Sequence, residues 1–570
     1  MKNKLRSCLV LAASILFLSS CASPSSSSIP SQEGVEPIVS SSSQDDQPTD
    51  ESLASLESED SSKEIVDSSI DLESEESSLS ASGKEKIRVY ATNDMHGQIY
   101  GTNPSSYSGR LGMGKTMTYL KQQKETEENV FILDQGDTWQ GSIYSNFNYG
   151  ALITDMMNYV HFDARTVGNH DFDWGLNPLI ANGKRDYEGY STPVLAANVY
   201  EFDFDAKKVG AKQMEEIGGT SVCYTLPSGL KVGIVGVIGE NQITSITSLY
   251  VHDVAFKSHV EIAKNEAIKL KEEGCDITIL SVHAGRDDLL GNGLSEYFDL
   301  VLCGHTHRNE VSYENGVAFA QFGCYTQGIG YIELEYDHDT GKTETVALET
   351  RYSRQIESSV SKVDPEIESI MEGYYEECEE AAKEVVAKDA DGYFDRYDAL
   401  PNLMCEAIYD TAIEQGFEID LSYCNEARNY IGSSYSGPKD WTYADVYEAF
   451  PFENEIYILD ITVDEMESEI LQYNRICKDP HKAIKLESGK TYKIAAIDYL
   501  AFHTNARREY NYFPSVKNYQ INEIEKLDGT YRGILCSWLK KNGYASGEKT
   551  LSSENFSSSL PKFSKDSITA

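Results

Sequence analysis

The sequence predicts an α/β protein: a layered domain over residues 87–355, a connecting helix over 356–390, and a smaller α+β domain over 391–550. Three observations carry this. The 570 residues are several times the size of one ordinary domain. Between residues 87 and 335, short apolar runs alternate with helical stretches, the pattern of a layered α/β unit. A charged helical run then follows Asp364-Pro365 and leads into a stretch of mixed helix and strand.

Taken in order, the chain opens on an export signal. Lys2, Lys4 and Arg6 make a basic start, Leu9 to Leu18 is apolar apart from Ser14, and Leu18-Ser19-Ser20-Cys21 matches the bacterial lipobox. Residues 1–21 therefore read as a lipoprotein signal peptide, with Cys21 as the lipid site. The apolar run is too short to cross about 30 Å of hydrocarbon. Residues 22–86 are Ser-rich, with 16 acidic residues against Lys63, Lys84 and Lys86 and no aromatic residue. Such a segment cannot bury enough apolar surface to offset its ordering entropy, and is expected to be a disordered linker. The expected location is extracytoplasmic, on the outer face of the cell membrane, with the lipid as the only membrane contact. Residues 551–570 read as a flexible Ser-rich tail.

The formal charge is −43, while 40% of residues are hydrophobic and 11% aromatic. That composition supplies a large core and excludes whole-chain disorder. It speaks against a nucleic-acid partner, which needs clustered Lys and Arg, but not against a small phosphate compound met by a few local cations. Of 11 Cys, Cys8 and Cys21 belong to the leader; the remainder show no metal-ligand spacing, and no disulfide framework is expected. Cys303 reads as a small buried hydrophobe.

Strands are expected at Ile87–Ala91, Val130–Leu133, Val194–Ala197, Val232–Val237, Ile277–Leu280 and Leu300–Leu302. A helix is expected from Ser258 to Glu273, where Ile262, Ala263, Ala267, Ile268 and Leu270 form one stripe. The chemistry stands where these strands stop. The motifs are Asn93-Asp94-Met95-His96-Gly97, Gly136-Asp137, Gly168-Asn169-His170-Asp171-Phe172-Asp173, His283, and Gly304-His305-Thr306-His307. In extended segments, residues i and i+2 share a face, so Asp94 with His96 can converge while Met95 packs away. Each piece alone is ordinary. Together they place five of the chain's 11 His at strand ends, with His161 nearby and unassigned. Ligand sites gather beyond the carboxyl ends of such strands, and a set of Asp, Asn and His there is the signature of a metal centre.

At these motifs the sequence resembles the calcineurin-like metallophosphoesterases. More closely, it is similar to the secreted 5′-nucleotidase, UDP-sugar hydrolase and 2′,3′-cyclic phosphodiesterase family, over about residues 85–545. The resemblance implies a four-layered α/β/β/α dimetal domain joined by a helix to an α+β substrate-binding domain. It implies that Asp94, His96, Asp137 and His307 hold one ion, and that Asp137, Asn169, His283 and His305 hold the other, with Asp137 bridging. The cofactors would be two divalent ions, Zn²⁺, Mn²⁺ or similar, which suits imidazole and carboxylate donors. Two such ions about 3.5–4 Å apart activate a water and stabilise both oxygens of an in-line displacement. His170 with Asp173 resembles the family's catalytic dyad. In an extended loop, Asn169 would face metal while His170 faces substrate.

Further along, Arg396-Tyr397-Asp398-Ala399-Leu400-Pro401-Asn402-Leu403 looks like the family's Arg before a Gly-Asn-Leu helix start, with Pro401 in place of Gly. Asn425-Glu426-Ala427-Arg428 stands where a longer Gly-rich loop is usual. Pro451-Phe452-Glu453-Asn454 matches the motif whose ring stacks on a nucleobase. The usual Gly-Gly-Asp-Gly-aromatic loop is replaced by Phe502 to Tyr510. The resemblance thus implies phosphate contacts from Arg396, Asn425 and Arg428, and a base held by Phe452 and Tyr510. The implied activity is 5′-nucleotidase, releasing nucleoside and phosphate. Hydrolysis of 2′,3′-cyclic nucleotides or of UDP-sugars stays open beside it, as does a non-catalytic surface nucleotide receptor.

Overall fold

The computed structural model describes residues 83–556 and 568–569, except 106–108, 204–205, 248, 433–436, 453, 467–475, 479–485, 503–512, 514 and 517–523. The expected signal peptide, Cys21 and nearly all of the linker lie outside the described residues, as does Tyr510.

Two six-stranded sheets carry the site. In the first, Lys84–Thr92, Val130–Asp134, Ala164–Thr166 and Val194–Leu195 pair in parallel, and the hairpin Gly328–Asp337/Lys342–Tyr352 closes the edge beside Lys84–Thr92. In the second, Lys231–Ile238, Ile277–His283, Leu300–Cys303 and Val317–Phe322 pair in parallel, with Ser221–Thr225 and Asn309–Glu314 antiparallel at the edges.

Strand alternation sorts the side chains into layers. Ile87, Val89 and Ala91 from the first sheet meet Val232, Ile234, Ile277, Ile279, Leu300 and Leu302 from the second in a core between the sheets. On the outer face of the first sheet, Tyr90 and Ile132 pack with Met117 and Leu120 of the helix Met113–Thr126 and with Leu152 and Met156 of Ala151–Val160. On the outer face of the second, Val235, Val237, Leu280 and Val301 pack with Ala263, Ala267 and Leu270 of the helix His259–Glu272. The result is the expected α/β/β/α order. Ser258 caps the last of these helices by accepting from the Glu261 N–H at 3.4 Å.

The first strand begins at Lys84 rather than Ile87, because Lys84 and Lys86 pair with Glu335 and Glu333 of the neighbouring strand at 2.5 and 2.7 Å. The run Val194–Ala197 is a strand only to Leu195. Its next two N–H groups donate to Gly219 and Gly236 at 2.8 and 2.9 Å, so the chain leaves the first sheet toward the second.

The helix after Asp364 spans Pro365–Ala382, and the chain is extended again at Val385–Ala390. Asp364 accepts from the Glu366 and Ile367 N–H groups, and Pro365 fits the first helical turn, where its missing N–H costs nothing. A separate core then forms from residues 386–556. It is built on a five-stranded sheet, in the order Ile476–Lys478, Leu421–Cys424, Thr491–Ile497, Glu455–Thr462, Lys526–Thr530, with helices Ala399–Glu414 and Tyr531–Lys541.

Candidate dimetal active site

Every residue expected at the metal centre stands at or just past the end of a parallel strand. Lys84–Thr92 delivers Asp94 and His96, Val130–Asp134 delivers Asp137, and Ala164–Thr166 delivers Asn169 and His170. The second sheet delivers His283 as the last residue of its strand, and His305 and His307 past Cys303. The first two loops are laced together: the N–H groups of Asp94, His96 and Gly97 donate to the carbonyls of Gly136, Asp137 and Thr138 at 2.9–3.0 Å. Glycine is required at the closest approach. A Cβ on Gly136 would lie 2.6 Å from the Gly168 nitrogen, and one on Gly168 would lie 2.3 Å from Asp137 Oδ1.

The extended-strand argument for Asp94 and His96 does not hold in the structure. Both have positive φ, 48° and 47°, and so do Asp137 (54°), His305 (74°) and His307 (59°). Left-handed conformations in non-glycine residues cost about 1 kcal/mol or more each and are retained where the surroundings enforce them. Here they turn the side chains inward. Met95 between them is buried in the apolar core, as expected. Likewise Asn169 and His170 lie in a short 3₁₀ turn, Asn169–Phe172, rather than an extended loop.

The donors converge in three overlapping groups: Asp94 with His96 and His307, His96 with Asp137 and His170, and Asp137 with His283 and His305. His96 Nδ1 faces the Gln140 carbonyl at 2.9 Å, so that nitrogen carries the proton and Nε2 carries the lone pair. That Nε2 lies 3.0 Å from His307 Nε2. Asn169 Oδ1 lies 3.0 Å from His283 Nε2 and 3.1 Å from His305 Nδ1. Asp137 Oδ1 accepts from the His170 N–H at 2.8 Å, while Oδ2 makes no hydrogen bond. Around that bare oxygen stand His283, His170 and His96 ring nitrogens at 3.3, 3.5 and 3.8 Å. Buried acceptors aimed at one another are costly unless cations lie between them.

Electrostatics point the same way. Burial, followed by the Arg428 charge, holds His96 down at about 3, and burial holds His305 at about 4. Burial first, then His96 and Arg428, keeps His307 well below the usual range. Neutral imidazoles are the metal-binding form. Asp94 is pushed up to about 7 by burial. His283 rises to about 9: burial opposes the shift, but Asp137 and Asp94 outweigh it. These residues therefore fit two divalent ions.

His170 stands in the middle group, with His96 and Asp137. Its Nδ1 lies 3.2 Å from Asp173 Oδ2. Burial raises the Asp173 carboxyl well above the usual range, with Asp137 and Asp171 adding to the effect. Asp171 serves the turn itself: its Oδ2 accepts from Gly168 N–H at 2.7 Å and pairs with the buried Arg165 at 2.5 Å, whose guanidinium lies over Trp139.

From the second core, Arg428 reaches the metal face. Its Nη2 donates to the Tyr325 hydroxyl at 2.6 Å, and its buried Nη1 has no hydrogen-bond partner. Arg428, Tyr325, Arg110, Gln98 and His96 line one cavity. Tyr325 was not singled out in the sequence. Its ring lies 5.1 Å from that of His96 and 5.4 Å from that of His307, with the Arg110 guanidinium 4.3 Å over it. No motif flags one tyrosine among 37, although Gly109-Arg110-Leu111-Gly112 could have flagged Arg110.

The other expected contacts differ. Arg396 holds its loop through its carbonyl, which accepts from Ala427 N–H at 2.9 Å, and its guanidinium lies over Tyr397. Asn425 is buried in the loop that carries Arg428. Phe452 is 4% exposed inside the second core, and its carbonyl accepts from Arg532. A base platform needs an open ring face, and Phe452 offers none in this arrangement.

The calcineurin-like phosphoesterase family matches residues 87–309, the stretch that holds all of these ligands. Residues 87–309 thus match a calcineurin-like phosphoesterase domain. Enzymes with this domain use two divalent ions, in keeping with the clustered Asp and His donors. Among relatives, the endonuclease YhcR of Bacillus subtilis (strain 168) is 24% identical over 408 residues, covering 66% of this chain and 32% of that protein. A snake venom 5′-nucleotidase of Naja atra is 28% identical over 299 residues, covering 46% of this chain and 52% of that protein. This chain thus spans about half or less of the relatives' length. The crystal structure of a 5′-nucleotidase precursor from Thermus thermophilus superposes with a TM-score of 0.63 at 17% identity, covering 85% of this chain and 99% of that one. The fold of that protein is therefore shared over most of this chain.

Proposed function

We propose that the protein is a dimetal phosphohydrolase acting on nucleoside 5′-monophosphates. The observation that carries this is the bare Asp137 Oδ2, ringed by imidazole nitrogens at 3.3–3.8 Å, together with the unpaired Nη1 of Arg428 on the same cavity. Asp94, His96, Asp137 and His307 would hold one ion; Asp137, Asn169, His283 and His305 would hold the other. When bound, the ions supply Lewis acidity, lowering the pKa of a water and drawing charge from the phosphoryl oxygens.

The chain's own residues do the rest. His170, oriented through Nδ1 by Asp173, places Nε2 beside the cluster, where it stabilises the transferring phosphoryl group and protonates the leaving oxygen. Arg428 presents Nη1 to the phosphate, a charge-assisted contact that this strongly acidic chain must supply locally. Tyr325 holds that guanidinium in place. The 5′-nucleotidase names among relatives and fold neighbours support this substrate class. The Cys21 lipobox supports an enzyme tethered outside the cytoplasmic membrane, and no described helix is long and apolar enough to cross a bilayer.

A substrate panel tests the reading. Hydrolysis products of AMP, GMP, UMP, UDP-glucose, 2′,3′-cyclic AMP and p-nitrophenyl phosphate are separated and quantified by chromatography with Mn²⁺, Zn²⁺ or Co²⁺ added. The proposal expects the monophosphates to be turned over with the highest kcat/KM. Faster turnover of UDP-glucose or the cyclic nucleotide would replace it with pyrophosphatase or diesterase activity, and turnover of none would leave a nucleotide receptor.

A further inference from the structure

Away from the metal face, two cysteines lie side by side at the far edge of the second sheet. Cys223 Sγ and Cys275 Sγ are 2.9 Å apart, separated by 52 positions in sequence. Cys223 is in the strand Ser221–Thr225 and is exposed, whereas Cys275, just before Ile277–His283, is buried. Between them runs Lys231–Ile238, where Gly233 stands directly opposite Cys223. A Cβ on Gly233 would lie 3.0 Å from Cys275 Sγ. The missing side chain leaves the space in which the two sulfurs meet.

The geometry points to a disulfide site at Cys223–Cys275, formed by exchange with a low-molecular-weight disulfide such as oxidised glutathione. The exposed Cys223 thiolate attacks one sulfur of the small disulfide and releases one small thiolate, leaving a mixed disulfide. The Cys275 thiol gives its proton to that thiolate, and its sulfur attacks Cys223 Sγ, expelling the second small thiolate, which takes from solvent the proton that Cys223 gave up. Two cysteine thiols are oxidised and one small disulfide is reduced, a two-electron exchange. Closure to about 2.05 Å asks for only a small movement of the sulfurs. Burial raises the Cys275 thiol to about 12, which assigns the opening attack to Cys223.

A second pair, Cys405 and Cys424, has its sulfurs 3.5 Å apart, but both are buried. No small disulfide reaches either without opening of the core, so this pair stays reduced and serves as an internal control. The proposed link is independent of the phosphohydrolase reading, because neither sulfur touches the metal cluster.

The test uses the full chain, reduced, desalted and exposed to oxidised glutathione. It is then alkylated in denaturant, digested and mapped by mass spectrometry. The expected product joins the Cys223 and Cys275 peptides with loss of two hydrogens, while Cys405 and Cys424 are alkylated. A Cys275→Ser variant should stop at a glutathione adduct on Cys223. Oxidation should raise the unfolding midpoint of the wild type by about 5–10 °C and leave that variant unmoved. A wild-type chain with only the adduct at Cys223, an unmodified Cys223, or a Cys405–Cys424 link formed as readily would each overturn the proposal.

Discussion

The Tyr325 hydroxyl accepts from Arg428 Nη2 at 2.6 Å, joining a residue from the end of the second sheet to one from the second core. It leaves Arg428 Nη1 as a buried, uncommitted donor on the cavity of the metal face. Burial holds down the imidazoles of His96, His170 and His307, and the Arg428 charge adds to the effect. One contact thereby fixes a buried cation beside the candidate metal donors.

Tyr325→Phe removes only that hydroxyl. Loss of one hydrogen bond to a charged group predicts a fall of about tenfold in kcat/KM for AMP, with bound metal unchanged. Steady-state kinetics beside elemental analysis check this. An unaltered kcat/KM would show that Arg428 is held by other contacts.

His170→Ala should lower kcat by about 10²–10⁴-fold while both ions stay bound. His170 lies 3.5 Å from Asp137 Oδ2, near enough to be a ligand instead. Metal content separates the roles: a parallel loss of metal and activity would make His170 a ligand.

Metal affinity should rise with pH. In the metal-free chain Asp94 lies at about 7 and His283 at about 9, and a metal ion needs Asp94 ionised and His283 Nε2 unprotonated. Below about pH 7 both protons must be displaced, between about 7 and 9 only that of His283, and above about 9 neither. Apparent affinity therefore climbs by up to about tenfold per pH unit for each proton displaced. Calorimetric titration with Mn²⁺ at about pH 6, 7 and 8 measures the slope, and a Kd independent of pH would contradict it.

Phe452→Ala should act on stability rather than on base recognition. Truncating a ring buried in the second core costs about 3–5 kcal/mol. Denaturant unfolding should show that loss, while the ratio of KM values for AMP and p-nitrophenyl phosphate stays put. A raised ratio with unchanged stability would restore Phe452 as a base platform.

Much of the fold and of the candidate donor cluster was legible because strand ends are local signals. Apolar runs such as Ile277–Leu280 show where the backbone is buried, and an Asp or His straight after one stands where the sheet presents its ligands. What local pattern hides is conformation and partnership. The i, i+2 argument reached Asp94 and His96 for the wrong reason, since both are left-handed. Val194–Ala197 reads as one strand, yet Ala196 and Ala197 bond toward Gly219 and Gly236, residues that meet them only in the folded chain. Tyr325 carries no motif and gains its place from packing against His96, Arg110 and Arg428. Phe452 sits in a recognisable motif, but burial set by the second core decides what its ring can do.

The account rests on Asp137 serving two ions at once, and metal stoichiometry tests that most directly. Wild type and Asp137→Asn are loaded with Mn²⁺ or Zn²⁺, passed through gel filtration and assayed for metal per chain. The account predicts two ions in the wild type and fewer than one in the variant, with a larger loss of AMP hydrolysis than in His96→Ala or His305→Ala. Two ions retained in Asp137→Asn would contradict it.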